Sequence, residues 1–367
     1  MKYRKKEALR SFFELRGMDV QIEYEIVPRY DFDAIVETLN YIIDKNEDCC
    51  FDLTGGKELV LAAMGHVSAM REVPMFQFNV RTGSLIRVKN CDCIPESDKV
   101  SMTIAENILL NGGTVVYNDK NDFCWQLTDD FKKDIEIMWD ICKPNCGLWN
   151  KQCMIFDKFI SFGTIDEDYS VKVSLEYMRH RNIEPMLSHS VINPLIQAGL
   201  IKNYKIEDEI LTFRFKNEQV CRAICKAGNI LELYAYMTAK EIADKEQGFY
   251  DDIDVGVIVD WDADDSRNTV DTRNEIDVMI MRDLVPIFVS CKNGEVHKEA
   301  LYELETVAAR FGGDYSKKIL LTTYVSNDTM SRKHLLKRAE EMGIYVIDNV
   351  DDMSKDEFLN EFRKRVV

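Results

Sequence analysis

The sequence predicts an α/β protein laid out in three successive parts, and three observations carry that reading. Strand-like and helix-like segments alternate through residues 1–95, the order that builds a parallel sheet with covering helices. A helix-like stretch from Ser188 to Ala198 is followed by strand-like Leu200-Ile201 and Leu211 to Phe215, a helix and then a β wing. From Gln219 onward a helix, three strands, a helix and a strand succeed one another, with further α/β units behind them. The boundaries that follow are 1–95, 96–218 and 219–367.

The first part is Rossmann-like in the broad sense. Residues 2–17 read as an amphipathic helix ending at Gly17, with Ala8, Leu9, Phe12, Phe13 and Leu15 apolar. Val20 to Val27 alternates polar and apolar residues and is expected to be a strand. Asp31 opens a helix to about Lys45, Cys49 to Leu53 is a short buried strand, and Thr54-Gly55-Gly56-Lys57 leads into a helix from Leu59 to Met70. Met75 to Val80 and Leu85 to Val88 form a hairpin about Gly83-Ser84.

In the middle part, Met102 to Leu110 reads as a helix, Thr114 to Tyr117 as a strand and Phe131 to Cys142 as a helix. Pro144 to Gly147 breaks the chain before a helix from Lys151 to Phe162, and Asp166 to Tyr169 is an acidic loop. The Ser188–Ala198 helix and its wing resemble a winged helix. That helix offers His189, Ser190, Asn193 and Gln197 but no Arg or Lys for phosphate contacts, which favours a bridging role over DNA binding.

In the last part, Ala227 to Tyr234 opens a helix and Asp251 to Trp261 is a strand, followed by an acidic turn from Asp262 to Asn268. Two paired strands come next, Asn274-Glu275-Ile276-Asp277-Val278 onward and Leu284 to Lys292. The helix from Lys298 to Phe311, the strand from Lys318 to Tyr324, the helix from about Met330 to Met342, the strand from Gly343 to Ile347 and a final helix complete the chain.

Composition narrows the function classes. The chain has 367 residues, 46% of them hydrophobic and 30% charged, as in globular proteins. No apolar run is long enough to span a membrane, and the Lys-rich start runs into a helix instead of a signal peptide; a cytoplasmic protein is expected. Eleven cysteines are scattered without CxxC pairs, so reduced, buried thiols are expected in place of a zinc site or disulfide framework. A net charge of −17 argues against a passive nucleic-acid coat. It leaves room for an enzyme that grips nucleic acid through metal ions and a local basic groove.

The chemistry concentrates on the 274–292 hairpin. By strand alternation Glu275 and Asp277 share one face, and Ser290 and Lys292 share one face of the partner strand. Two acids opposite a lysine can hold a divalent cation beside a phosphate oxygen, lower the pKa of bound water and offset charge that develops at phosphorus. A solvated acidic strand beside a buried one is the plainer alternative.

The hairpin resembles the PD-(D/E)xK nuclease superfamily, in which an acid on one strand is followed by (Asp/Glu)-x-Lys on the next. Asp277 matches the first acid and Lys292 the lysine, whereas Ser290 stands where the second acid is usual. Glu275 is the local candidate to supply the missing charge, with Glu303 and Glu305 on the following helix as more distant ones. Gly228-x-x-Leu231-Glu232 resembles the helix from which such nucleases bring a further acid to the metal. The resemblance implies Mn²⁺ or Mg²⁺ on Asp277, Glu275 and Glu232, with Lys292 catalytic beside Ser290.

Asp52-Leu53-Thr54-Gly55-Gly56-Lys57-Glu58-Leu59 sits at a strand–helix junction, where glycines admit a ligand and a helix N-terminus presents N–H groups to phosphate. It has neither Walker A nor GxGxxG spacing. The stretch resembles the signature of the CARF domain (CRISPR-associated Rossmann fold), which binds cyclic oligoadenylate at a dimer interface. Carried over, Thr54, Gly55, Gly56 and Lys57 would bind the activator. CARF domains normally begin with a strand; this chain begins on what reads as a later helix, so that first strand is expected to be missing.

CARF domain, bridge and PD-(D/E)xK domain in this order resemble the ancillary nucleases of type III CRISPR antiviral defence. The resemblance implies a homodimeric, metal-dependent endonuclease switched on by cyclic oligoadenylate, cyclic tetra-adenylate foremost. Single-stranded DNA, RNA and plasmid DNA are all open as substrates. The alternative is a non-catalytic cyclic-oligoadenylate sensor or transcriptional regulator whose nuclease domain has decayed, which Ser290 would suit. A third reading, a restriction-type nuclease, would cut without any messenger.

Overall fold

The computed structural model describes residues 2–46, 48–80, 82–91, 100–116, 123–261 and 273–367. The expected acidic turn at 262–268, Tyr117 of an expected strand and Cys93 lie outside them.

The N-terminal part contains α1 (Lys2–Leu15), α2 (Phe32–Lys45), β1 (Phe51–Asp52), α3 (Glu58–Arg71), β2 (Met75–Asn79) and β3 (Ser84–Lys89). β1 and β2 pair in parallel, Phe51 opposite Met75, and β3 returns antiparallel to β2. Ile35 and Leu39 of α2 and Ala63 and Val67 of α3 close over Phe51 and Met75. Asp31 caps α2 by accepting from the Ala34 N–H at 3.0 Å, which satisfies a donor the first turn leaves unpaired.

Here one expectation is corrected. Val20 to Val27 forms no strand. Alternation stabilises a strand only when one of its faces is covered, and Tyr24 and Ile26 are 48% and 78% exposed.

The middle of the chain contributes α4 (Ile104–Leu110), β4 (Thr114–Val115), α5 (Asp129–Cys142), α6 (Cys146–Phe162), β5 (Thr164–Ile165), β6 (Ser170–Ser174), α7 (Leu175–His180), α8 (His189–Gln197), β7 (Ile201–Glu207), β8 (Ile210–Phe215) and α9 (Glu218–Cys225). α6 starts earlier than Lys151 because Asn145 accepts from the Leu148 N–H and caps it. The expected wing, β7 and β8, belongs to a four-stranded antiparallel sheet of order β5-β6-β8-β7.

The C-terminal part contains α10 (Asn229–Lys245), β9 (Asp252–Asp260), β10 (Arg273–Arg282), β11 (Val285–Glu295), α11 (Lys298–Phe311), β12 (Lys317–Tyr324), α12 (Thr329–Glu341), β13 (Ile344–Ile347) and α13 (Lys355–Val366). Its six-stranded sheet has the order β13-β12-β11-β10-β9-β4. The strands from β13 to β11 run parallel, and β11 to β4 antiparallel. β4, far upstream in sequence, completes the edge by pairing Thr114 with Asp260 and Val115 with Val259. Gly113 permits this approach, since a Cβ there would fall 2.5 Å from the Phe311 ring and 2.8 Å from the Asp260 carbonyl.

Each face of this sheet has its own core. Val278, Ile280, Ile287 and Val289 pack with α10, α5 and α13 on one side. Met279, Met281, Phe288 and Leu320 pack with α11 and with Ile104 and Ile108 of α4 on the other. Among the described residues, no helix is long and apolar enough to cross a membrane.

Candidate functional site

The β10–β11 hairpin turns at Asp283, which has φ +57°, and pairs regularly from Arg282↔Val285 to Val278↔Val289. One residue further the side chain of Asp277 enters the ladder. Its Oδ2 accepts the Cys291 backbone N–H at 2.6 Å and the Ser290 hydroxyl at 3.3 Å. The carboxylate is thereby fixed across the hairpin.

On the opposite edge of β10, pairing with β9 passes from Ile276↔Val257 to Val278↔Val255, and Gly256 lies between with φ +64°. A residue in this conformation interrupts the pleat. Ile253 and Val255 accordingly pack on the α10 side, while Val257 and Val259 pack on the α11 side. β10 changes sides at the same level, with Ile276 on the α11 side and Val278 on the α10 side. Strict alternation therefore fails around Asp277, and the expectation that Glu275 and Asp277 share a regular strand face is corrected. The two acids still converge, because the charges of both bear on Glu232.

Glu232 lies in the first turn of α10 and is 6% exposed. Lys226, just ahead of that helix, places its Nζ 2.5 Å from Glu275 Oε1 and 3.5 Å from Glu232 Oε2. At that range the Glu232 oxygen is ion-paired but accepts no hydrogen bond. Burial, reinforced by the Asp277 charge and opposed by Lys226, pushes the Glu232 carboxyl up to about 7. Burial likewise raises Asp277, against the Cys291 N–H and the Lys292 charge. Burial works to lower Lys226, but Glu232, Glu275 and Asp277 outweigh it and hold the ammonium above its usual range.

Two cavities meet at Glu275. One of about 150 Å³ holds Asp277, Ser290, Lys292 and Glu303. The other, about 640 Å³, opens on the α10 side around Arg222, Lys226, Glu232 and Tyr236. Lys292 is half-buried and forms no ion pair among the described residues.

The donor set suits a hard divalent cation. It consists of carboxylate oxygens, one of them buried and without a hydrogen bond, and a lysine ammonium already stands between two of the acids. Among the described residues, no three His, Cys, Asp or Glu side chains converge into a ready-made cation cage.

At the N-terminal turn, Asp52 Oδ1 accepts from the Thr54 N–H at 2.8 Å and from the Thr54 hydroxyl. That hydroxyl in turn accepts the Phe78 N–H at 2.7 Å. Thr54 therefore ties the end of β1 to β2. Gly55, Gly56 and Lys57 are exposed at the start of α3.

The sequence reading missed Lys226, which sits in no motif, and the interruption at Gly256. A glycine inside an otherwise β-branched strand was the available signal for the latter.

Residues 218–365 match the family model described as Card1-like, endonuclease domain. This part of the chain is similar to Card1-like endonuclease domains. It contains Glu232, Asp277, Ser290 and Lys292, whereas the Thr54–Lys57 turn lies outside it. Two solved structures share the fold along the whole chain. Protein VC1899 from Vibrio cholerae aligns with TM-score 0.70 and 18% identity, over 99% of this chain and 88% of its own. Can2 from Sulfobacillus thermosulfidooxidans, in complex with cyclic tetra-adenylate, aligns with TM-score 0.68 and 14% identity, over 100% of this chain and 90% of its own. No curated protein sequence matches significantly. The chain thus shares its mixed α/β fold with both structures along its whole length, and the endonuclease-model match falls on its C-terminal part.

Proposed function

We propose that the protein is a metal-dependent nuclease of type III CRISPR defence, acting as a homodimer and switched on by cyclic oligoadenylate. The observation that carries the reading is the Asp277 carboxylate, fixed by the Cys291 N–H beside Lys292 inside a Card1-like endonuclease domain. Cyclic tetra-adenylate is the first activator to try, since Can2 is similar over the whole chain and was solved with it.

A Mn²⁺ or Mg²⁺ ion held by Asp277, with Glu232 and Glu275, would supply Lewis-acid polarisation of a phosphodiester and of its attacking water. The chain's own groups do the rest. Lys292, with no carboxylate paired to it among the described residues, meets the negative charge of the phosphate. Glu232, whose carboxyl burial pushes up to about 7 in the metal-free chain, would give up its proton when a cation binds beside Asp277, since a nearby positive charge favours the carboxylate. Ser290 keeps Asp277 oriented through its hydroxyl. Gly55, Gly56 and Lys57 offer an exposed turn and a cation to the activator's phosphates, and Thr54 shapes that turn.

The competing sensor reading draws on Ser290, a neutral residue where a second acid is usual. One experiment separates the two. Single-stranded DNA, single-stranded RNA and supercoiled plasmid are incubated with the protein and Mn²⁺ or Mg²⁺, with and without cyclic oligoadenylates of several ring sizes. Cleavage that needs an activator and vanishes in Lys292→Ala is the expected result. Tight activator binding without cleavage of any substrate would favour the sensor, and cleavage independent of activator would remove the switch.

A further inference from the structure

We propose that Glu303 supplies the metal-binding carboxylate that position 290 lacks. The inference rests on the nuclease reading above and concerns the composition of that same site.

Helical spacing puts Glu303 within reach. Ala300, Leu304, Val307 and Phe311 form the buried stripe that seats α11 on the sheet. Glu303 precedes Val307 by four residues, so it borders that stripe instead of pointing away from it. Its side chain lines the same cavity as Asp277, Ser290 and Lys292.

Glu305, the other acid nearby on this helix, is already committed. Its Oε2 lies 2.5 Å from Lys318 Nζ, an ammonium that also donates to the Met342 carbonyl at 2.6 Å. Glu303 has no ion pair among the described residues.

Ser290 completes the case. Its short side chain donates to Asp277 and leaves open the space a glutamate there would fill. The cavity of about 150 Å³ has room for a cation with a few waters, at about 30 Å³ each. A carboxylate reaching in from α11 opposite Asp277 would provide the second anionic oxygen donor that such a cation requires.

The test is Mn²⁺ binding to the full chain, followed by the electron paramagnetic resonance signal of free Mn²⁺. It compares wild type, Glu303→Gln, Glu305→Gln, Asp277→Asn and the double variant Ser290→Glu/Glu303→Gln. Circular dichroism melts establish that each is folded. Asp277→Asn and Glu303→Gln are expected to weaken binding by about tenfold or more, Glu305→Gln to leave it unchanged, and the double variant to recover it by returning the acid to the strand. Wild-type binding in Glu303→Gln, with binding lost in Asp277→Asn, would overturn the inference and leave the nuclease site standing. Unaltered binding in Asp277→Asn would remove the site itself, and Glu303 with it.

Discussion

Cys291 donates its backbone N–H to Asp277 Oδ2 across 2.6 Å, so the acid is held by the strand that also carries Lys292. Its place in the site and its place in the sheet are therefore separable by substitution. Asp277→Asn keeps an oxygen that can accept the Cys291 N–H and is expected to stay within about 1 kcal/mol of wild-type stability. Cleavage should fall by about 10²-fold or more. Asp277→Ala should lose cleavage and also about 1–3 kcal/mol, because the amide is left without its partner. Urea melts beside cleavage assays check this; equal stability of the two variants would contradict it.

Glu232 makes stability depend on pH in an unusual direction for a carboxylate. Its folded pKa is raised from 4.5 to about 7, so between those values the folded state binds the extra proton. Stability should fall as pH rises through that window, by about 1–3 kcal/mol at most from this group. Glu232→Gln should flatten the fall between pH 5 and pH 8. A wild-type curve that climbs through this range with no change in the variant would refute the assignment.

Lys226 acts as an internal counter-ion for Glu232 and Glu275. Lys226→Met should lower the melting temperature at pH 8 without added metal by about 2 °C, a figure that allows for solvent screening of a half-exposed pair. It should also enlarge the stabilisation that Mn²⁺ confers, since the cation then meets uncompensated acids. Melting curves with and without Mn²⁺ decide; no change in either quantity would sink the idea.

Gly256 holds φ +64° beside Asp277. Gly256→Ala places a side chain where L-residues are strained, at a cost of about 1–2 kcal/mol. If the interruption of β9 and β10 positions Asp277, Mn²⁺ affinity should fall with stability. Lost stability with unchanged affinity would make the glycine purely architectural.

At the N-terminal turn, Thr54 and Lys57 should behave differently. Thr54→Val removes the acceptor for the Phe78 N–H and should cost about 1–2 kcal/mol along with activator affinity. Lys57→Ala, at an exposed position, should leave stability unchanged and weaken cyclic oligoadenylate binding about tenfold. Calorimetric titration of both variants tests this, and full affinity in Lys57→Ala would remove the lysine from the ligand site.

Much of this arrangement is legible in the sequence because it is local. The 274–292 hairpin, α11 with its Gly312 end and the Asp31 cap of α2 each declare themselves within a few residues. What escaped depends on distant partners. Val20 to Val27 has the right alternation, but among the described residues Val20, Tyr24 and Ile26 stay exposed, which no local pattern can reveal. β5 and α7 are short, and β4 has only two residues, whose partner lies beyond residue 250. Lys226 became visible only when the turn before α10 was seen to fold back onto β10.

The strand β4 reaches across what the sequence presents as a boundary. Its hydrogen bonds to β9, the Asn107 side-chain amide on the Phe311 carbonyl at 2.8 Å and the Arg310 guanidinium on the Asn111 carbonyl at 2.6 Å knit 104–115 into the C-terminal part. The Arg16–Glu106 pair at 2.7 Å ties the same segment back to α1. A fragment cut at residue 218, where the family match begins, would expose the apolar seat of Ile104 and Ile108 and an unpaired strand edge, a surface prone to aggregate. The C-terminal sheet is therefore not self-contained at that point; its edge strand comes from a piece of chain more than a hundred residues upstream.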